Sequence, residues 1–272
     1  MFSRWFVFAL SALAIAQPQK ITLPGREVSV PMLDIGGRPM VDLTIDGKGP
    51  YKFIVDTGAH ETAIDSGLAG ELGLRERAPV REIRVGGALL QGMEVEQAPL
   101  ALMFPGPDAP QGVLSAASFP GFLLILDYPA KRIVIRAGSL PAADHRTIFE
   151  YAADKPLPMV AIRVAGVETA VDLDSGSPLG LTLPVKFLKQ LSLASEPKDI
   201  GHARTPGGEF PISSARVNGA IELGQYRLDL AQVRFSDVAP GPEPPNGNIG
   251  AEVLRDFKVT FDSKNRRIRI EK

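Results

Sequence analysis

The stretch Ile-Val-Asp-Thr-Gly-Ala at residues 54–59, with its partial copy Asp-Ser-Gly-Ser at residues 174–177, decides the fold prediction. Both stretches place a small hydroxyl residue and a glycine directly after an aspartate. Glycine at this position allows a tight loop and a close approach by other groups, because it has no side chain. A single aspartate-glycine turn is common between strands. Two such stretches in one chain instead indicate a repeated structural unit.

Further matches extend this repeat over most of the chain. Residues 40–47 resemble residues 159–166, residues 84–86 resemble residues 222–224, and residues 122–127 resemble residues 257–262. Two copies predict two similar lobes rather than a solenoid, which needs at least ~3 repeats. We expect the boundary where Pro141, Asp144 and His145 interrupt the strand pattern, which gives lobes at 17–143 and 144–272.

Apolar and polar side chains alternate in most of the regular segments, as in residues 41–45, 132–136 and 267–270. This period of two predicts strands, and Asp46-Gly47 predicts a turn between two of them. A helical pattern is scarce, and its best example is residues 184–193, where Pro184 suits a first helical turn. The sequence therefore predicts an all-β chain with few short helices.

The composition excludes several classes of partner and site. The chain has 30 Lys plus Arg residues and 31 Asp plus Glu residues, so no excess positive charge favours nucleic acid or an anionic membrane surface. It contains no Cys, which excludes disulfides, thiolate metal sites and a Cys nucleophile. The three histidines, His60, His145 and His202, lack the spacing of a metal site, so we expect no metal.

The N-terminus has the pattern of a cleaved signal peptide. Arg4 precedes an apolar run, and Ala14-Ile15-Ala16 fits a small-x-small cleavage site, which predicts a signal peptide at 1–16 and a mature start at Gln17. The alternatives are a membrane anchor, for which the run is too short because a span needs ~20 residues, and a buried first strand. We expect a periplasmic or secreted protein without a stable membrane anchor.

The two aspartate stretches resemble the Asp-Thr-Gly signature of the pepsin and retropepsin clan. Residues 248–251, Asn-Ile-Gly-Ala, resemble the downstream apolar-apolar-Gly element of the same lobe. The layout is similar to bacterial secreted aspartyl-protease-family proteins with two retropepsin-like repeats. The resemblance implies two β-barrel lobes related by an internal pseudo-two-fold repeat. It also implies a monomer that acts on a peptide or protein substrate without a cofactor.

The resemblance assigns catalysis to Asp56 and Asp174, one from each lobe. One carboxylate would take a proton from water while the other, as an acid, protonates the substrate oxygen. Two neighbouring carboxyls cannot easily both ionise, an effect for which aspartic proteases are the standard example. The residues expected to support this dyad are the glycines and hydroxyl residues of the two stretches: Thr57, Gly58, Ser175 and Gly176.

Two residues depart from the pattern of the family. Asp172 stands where the first copy has Ile54, and it shares a strand face with Asp174. It could crowd Asp174, replace it as the catalytic residue, or form a cation site with it, although it lacks the following Ser-Gly. Ser115 replaces an expected glycine. These departures weaken the expectation of ordinary peptidase activity more than they weaken the fold prediction.

A cover for the cleft is predicted in the second lobe. The stretch from Asp174 to Gly224 is longer than the matching stretch from Asp56 to Gly86, which leaves room for one more hairpin. The extra residues carry a strong turn signal. The candidate cover residues are Pro206, Gly207, Gly208 and Phe210. The alternative is an ordinary surface hairpin.

The leading hypothesis for function is an aspartic endopeptidase that uses activated water. Retention of both aspartates favours it, because an Asn or Ala at either position would have removed the acid-base pair. The alternatives are a non-catalytic or narrowly specific peptide-binding protein that keeps the fold, and a protein that processes only itself.

Overall fold

The structure is a computed structural model that describes residues 18–76, 79–104, 106, 108–152, 157–205, 208–237 and 247–272. The predicted signal peptide, residues 1–16, lies outside these ranges, as do Pro206 and Gly207 of the predicted cover. Across the described ranges, no helix has both the length and the apolar character needed to cross a membrane.

The described residues of the first half of the chain form short strands with two short α-helices and one 3₁₀ helix, Ala116–Ser118. In chain order these elements are β1 (Lys20–Thr22), β2 (Glu27–Pro31), β3 (Leu33–Ile35), β4 (Arg38–Ile45), β5 (Lys48–Asp56), β6 (Ala63–Asp65), α1 (Ser66–Leu72), β7 (Pro79–Val85), β8 (Ala88–Glu94), β9 (Glu96–Ala98), α2 (Leu100–Met103), β10 (Gly112–Ser115), β11 (Phe122–Asp127) and β12 (Arg132–Ala137).

The second half is built in the same way, and its described ranges contain one short α-helix and a 3₁₀ helix, Val185–Lys189. Its elements are β13 (Ile148–Glu150), β14 (Met159–Val164), β15 (Val167–Asp174), β16 (Leu181–Leu183), β17 (Lys198–Thr205), β18 (Gly208–Ala215), β19 (Ile221–Leu223), β20 (Tyr226–Leu228), β21 (Val233–Phe235), β22 (Gly247–Gly250), α3 (Ala251–Leu254), β23 (Lys258–Asp262) and β24 (Arg267–Glu271).

The all-β prediction is confirmed, but the helix prediction needs correction. The helical pattern at 184–193 gives only the shorter 3₁₀ helix Val185–Lys189, whose backbone hydrogen bonds join residues three apart, such as Phe187 N to Pro184 O. The pattern did not predict α1. This helix begins where Asp65 accepts hydrogen bonds from two backbone N–H groups of the first turn, and it ends at Gly73 in the left-handed conformation.

The first sheet places Asp56 at the end of β5, directly after three buried residues. Its strand order is β1-β8-β7-β4-β5-β10-β6-β9, with β3 beside β4. The predicted turn at Asp46-Gly47 joins β4 to β5, and both residues have the positive φ values that this tight hairpin turn requires. On its other side β5 pairs in parallel with β10, so that Asp56 lies opposite Ser115.

The third sheet places Asp174 in the same way. Its order is β17-β18-β21-β16-β22-β15-β14-β19-β20. Here β15 lies between antiparallel β14 and parallel β22, so that Asp174 lies opposite Gly250. The turns at Gly86 and Gly224, which the sequence pairs with each other, both follow a strand and both have positive φ.

A second sheet of six described strands combines the two halves, in the order β13-β24-β23-β11-β12-β2. Its centre is the antiparallel pair β11 and β23. The lobes were expected to be β-barrels, but no barrel closes among the described strands. Instead, β11, β12, β23 and β24 pair with one another, so that strands from both halves share one sheet. The lobe boundary between 143 and 144 remains a prediction.

Candidate active site

Asp56 and Asp174 lie together in the structure, although they are far apart in the sequence. Each ends a strand, β5 or β15, and directly follows three buried residues of that strand. The two carboxyl groups lie close enough together that each changes the pKa of the other. The structure therefore brings together the two aspartates that the repeat pairs.

Backbone N–H groups of the following loops hold each carboxyl in place. Gly58 N donates to Asp56 Oδ1 at 2.8 Å, and Ser177 N donates to Asp174 Oδ1 at 3.0 Å. The glycines are required by space: a Cβ at Gly58 would lie 2.7 Å from Asp174 Cγ, and one at Gly176 would overlap the Asp56 carboxyl. The absence of a side chain at Gly58 thus makes room for Asp174, and the absence of one at Gly176 makes room for Asp56.

The hydroxyl groups of Thr57 and Ser175 join the two loops through four hydrogen bonds. Thr57 Oγ1 donates to Leu173 O and accepts from Ser175 N at 3.0 Å. Ser175 Oγ donates to Val55 O at 2.6 Å and accepts from Thr57 N at 3.0 Å. Both side chains are almost fully buried, at 2% and 0% exposure, so water cannot replace these partners.

The environment of the two carboxyls is unequal. Burial, followed by the negative charge of Asp174, raises the pKa of Asp56 to about 8. Burial also raises the pKa of Asp174, but hydrogen bonds to its carboxylate oppose that rise. One of these donors is Asn248 Nδ2, at 3.0 Å from Asp174 Oδ2. The additional hydrogen bond from Asn248 therefore favours the ionised form of Asp174, while burial and the charge of Asp174 favour the protonated form of Asp56.

Two further residues near the pair were missed by the sequence analysis. Arg38 Nε donates to Gly176 O at 2.8 Å, and its guanidinium carbon lies 5.0 Å from the centre of the Phe104 ring. Burial lowers the pKa of Arg38, while the charges of Asp174 and Asp56 raise it, so the cation is close enough to interact electrostatically with both carboxyls. Burial and the same two charges raise the pKa of Tyr128, whose hydroxyl has no partner among the described residues.

Ser115 has a clear role in the first loop. Its Oγ donates to Ala59 O at 2.7 Å and accepts from Ala117 N at 3.1 Å, so it joins the loop after Asp56 to the segment after β10. The residue opposite Asp174 is Gly250, where a Cβ would lie 2.6 Å from Ser177 O. A side chain therefore fits in the first loop and not in the second.

Asp172 is the third carboxyl of this region and is only 6% exposed. Burial, followed by the charge of Asp174, holds its pKa well above the usual range. Within the described ranges, no group of three or more His, Asp or Glu side chains is placed to hold a metal ion. A cation site at Asp172 and Asp174 therefore has no third ligand of this kind in that part of the chain.

The predicted cover is present as a hairpin of β17 and β18, in which Ala203 lies opposite Phe210 and Thr205 opposite Gly208. The hairpin forms an edge of the third sheet, where β18 pairs with β21. The turn residues Pro206 and Gly207 lie outside the described residues. Its function as a cover remains a prediction.

Similarity to a known protein family covers one part of the chain. Residues 41–102 match the family model described as aspartyl protease, a range that includes Asp56, Thr57 and Gly58 but not Asp174. No curated protein matches the chain. The segment of the chain that carries the first aspartate loop is thus similar to the aspartyl proteases.

Proposed function

We propose that the protein is an aspartic-type endopeptidase that hydrolyses peptide bonds with water activated by Asp56 and Asp174. The observation that carries the proposal is the pair of adjacent, partly buried carboxyls, in which each loop makes room for the aspartate of the other. Two carboxyls that share one proton supply a base and an acid at the same place. The aspartyl protease match at residues 41–102 supports the same class of reaction.

The unequal environments assign the two roles. Asp174, which accepts hydrogen bonds from Ser177 N and Asn248 Nδ2, acts as the base that takes a proton from water. Asp56, whose pKa is raised to about 8, carries the proton that is donated to the carbonyl oxygen of the substrate. Arg38, which interacts electrostatically with both carboxyls, favours the form with a single negative charge.

The proposal extends to the organisation of the chain. The first and third sheets share one pattern of pairing around Asp56 and Asp174, which supports two lobes of common origin at 17–143 and 144–272. We place the protein in the periplasm or outside the cell after removal of residues 1–16. It acts there as a monomer on a peptide or protein substrate and needs no cofactor.

The experiment is the digestion of a peptide library by the mature protein, beginning at Gln17, from acid to weakly alkaline pH. Asp56→Asn is compared with wild type, and Asp42→Asn is the matched control because Asp42 is an exposed residue of β4. We expect cleavage by wild type and by the control, and none by Asp56→Asn. Peptide binding without cleavage by wild type would instead support the binding-protein alternative, and cleavage confined to its own chain would support self-processing.

A further inference from the structure

Three polar side chains form a row across adjacent strands beside Asp174. Asp172 of β15 lies directly opposite Asn248 of β22, and Thr182 of β16 lies opposite Asn248 from the other side. Asp172 and Asp174 are two residues apart on one strand and therefore point to the same face of the sheet. Asn248 already contacts Asp174 through the hydrogen bond from Nδ2 to Oδ2. The row thus continues directly from the candidate dyad.

The corresponding row in the first sheet is apolar. Ile54 of β5 lies opposite Val113 of β10, and Ala63 of β6 lies opposite Val113 from the other side. A row of this kind needs no hydrogen-bond partners. The polar row is therefore a feature of the second lobe, and the pairing pattern does not by itself require it.

The side-chain amide of Asn248 has a hydrogen-bond partner for its nitrogen, Nδ2, and none among the described residues for its oxygen, Oδ1. This oxygen is buried. A buried acceptor without a donor costs about 1–3 kcal/mol. The hydroxyl of Thr182 is also buried without a partner in that part of the chain, so it does not supply the donor. The remaining neighbour in the row is Asp172.

Asp172 can satisfy Asn248 Oδ1 in only one of its two protonation states. A carboxylate has no proton to donate, and its negative charge would repel a carbonyl oxygen, whereas a carboxylic acid donates one O–H. The charged groups that act on Asp172 are Asp174 and Asp56, and both favour its neutral form. Arg38 interacts electrostatically with those two carboxyls, and the neighbour of Asp172 on β14 is the apolar Met159.

We propose that Asp172 is a protonated positioning residue that donates a hydrogen bond to Asn248 Oδ1 and so holds the amide with Nδ2 directed at Asp174. The chain of contacts runs from the acid of Asp172 through the amide of Asn248 to the carboxylate of Asp174. It fixes which dyad member accepts hydrogen bonds, and therefore which member carries the proton. The inference rests on the proposed function for its kinetic consequence, but not for the protonation of Asp172.

Two substitutions separate this role from simple packing. Asp172→Asn keeps a neutral donor, because its own amide can donate to Asn248 Oδ1. Asp172→Ile, which copies Ile54 of the first row, removes the donor. We expect kcat/KM within about twofold of wild type for Asp172→Asn, because one hydrogen bond replaces another of similar strength. For Asp172→Ile we expect a fall of about tenfold, as for the loss of one hydrogen bond.

The upper pKa of the dyad gives the sharper readout. If Asp172 is neutral, Asp172→Asn removes no charge, and the upper limb of the pH profile of kcat/KM stays where it is. If Asp172 is ionised, the same substitution removes a negative charge and moves that limb to lower pH. Thr182→Val is the matched control, because it alters the other end of the row without altering a donor to Asn248 Oδ1. We expect it to leave the limb in place.

A carbon-13 NMR titration of the aspartate carboxyls, with Asp172→Asn used to assign the signal, tests the protonation without any turnover. A protonated Asp172 at neutral pH supports the inference. An ionised Asp172, a shift of the upper limb in Asp172→Asn, or equal kinetics of the Asn and Ile variants would overturn it. If wild type cleaves no peptide, the proposed function fails while the titration still decides the state of Asp172.

Discussion

At the scale of single residues, the inequality between Asp56 and Asp174 comes from residues outside the two aspartate motifs. Asn248 donates to Asp174, while the matching position of the first sheet is Val113, which has nothing to donate. The motifs singled out, from a short local pattern, the two aspartates that the structure brings together. They could not predict Arg38, because it contacts Gly176 from 138 residues away and its own surroundings in the sequence are ordinary.

Replacing either aspartate with asparagine should raise stability at neutral pH. The folded-state pKa of Asp56, about 8, is above the pKa of an aspartate in the unfolded chain. Between these two pKa values the folded protein binds more protons than the unfolded chain does. The free energy of unfolding therefore falls as pH rises through this range. Asp56→Asn removes this cost. We expect its Tm to exceed that of wild type by a few degrees at neutral pH, since about 1 kcal/mol shifts Tm by roughly 2–4 °C in a chain of this size.

Thermal unfolding at a series of pH values checks this prediction. The difference in Tm between Asp56→Asn and wild type should shrink toward acid pH, because Asp56 of wild type is then protonated in both the folded and the unfolded protein. A difference that grows toward acid pH would mean that the pKa of Asp56 is lowered rather than raised in the folded protein.

Removing the charge of Arg38 should move the activity profile upward in pH. Arg38 favours the ionised form of both carboxyls, so Arg38→Met should raise both of their pKa values. We expect both limbs of the pH profile of kcat/KM to shift by about half a unit to one unit, the usual effect of one nearby charge that is partly screened. Arg84→Met is the control, because Arg84 is an exposed residue paired with Glu82. A downward shift would contradict the placement of this cation.

At the scale of elements, the two aspartate loops depend on each other. Neither loop satisfies its own buried groups: the hydroxyl of Thr57 serves Leu173 O and Ser175 N, and that of Ser175 serves Val55 O and Thr57 N. The sequence identified Thr57 and Ser175 as the hydroxyl residues of the two loops. The resemblance, rather than the residue pattern, supplied the expectation that the hydroxyls cross between loops.

Thr57→Val should therefore be costly although the two side chains have nearly the same shape. It leaves one buried carbonyl and one buried N–H without partners, which predicts a loss of about 2–5 kcal/mol in the free energy of unfolding. Thr57→Ser, which keeps the hydroxyl, should lose much less. Chemical denaturation of the two variants measures the difference. Equal stability of both would show that the cross-loop hydrogen bonds contribute nothing measurable.

The hairpin of β17 and β18 is an element whose existence was predicted from a length difference between the repeats. Its use as a cover predicts that shortening the segment from Thr205 to Glu209 lowers kcat/KM while the Tm changes little, since β17 is the edge strand of the third sheet. Steady-state kinetics and thermal unfolding of the shortened protein test this. Unchanged kinetics would identify an ordinary surface hairpin.

At the scale of the whole molecule, local sequence patterns predicted the strands well but predicted only part of how the strands pair into sheets. Alternating burial along β4 and the turn at Asp46-Gly47 follow from short-range sequence, and both are found. The second sheet was not predicted, because it pairs strands such as β11 and β23, in which Leu124 lies opposite Phe261. Such pairing leaves no local signal in the sequence, and it replaces the closure of two separate barrels.

The account of the whole molecule depends on one claim, that Asp56 and Asp174 act as a single unit. The most direct test is kcat/KM for Asp56→Asn, Asp174→Asn and the double variant on a peptide that wild type cleaves. Each single change should lower the rate by about 10²–10⁴-fold, the range for a general acid or base, and the double change should be no worse than either single change. Robust cleavage by Asp174→Asn, or single effects that multiply in the double variant, would contradict the shared dyad.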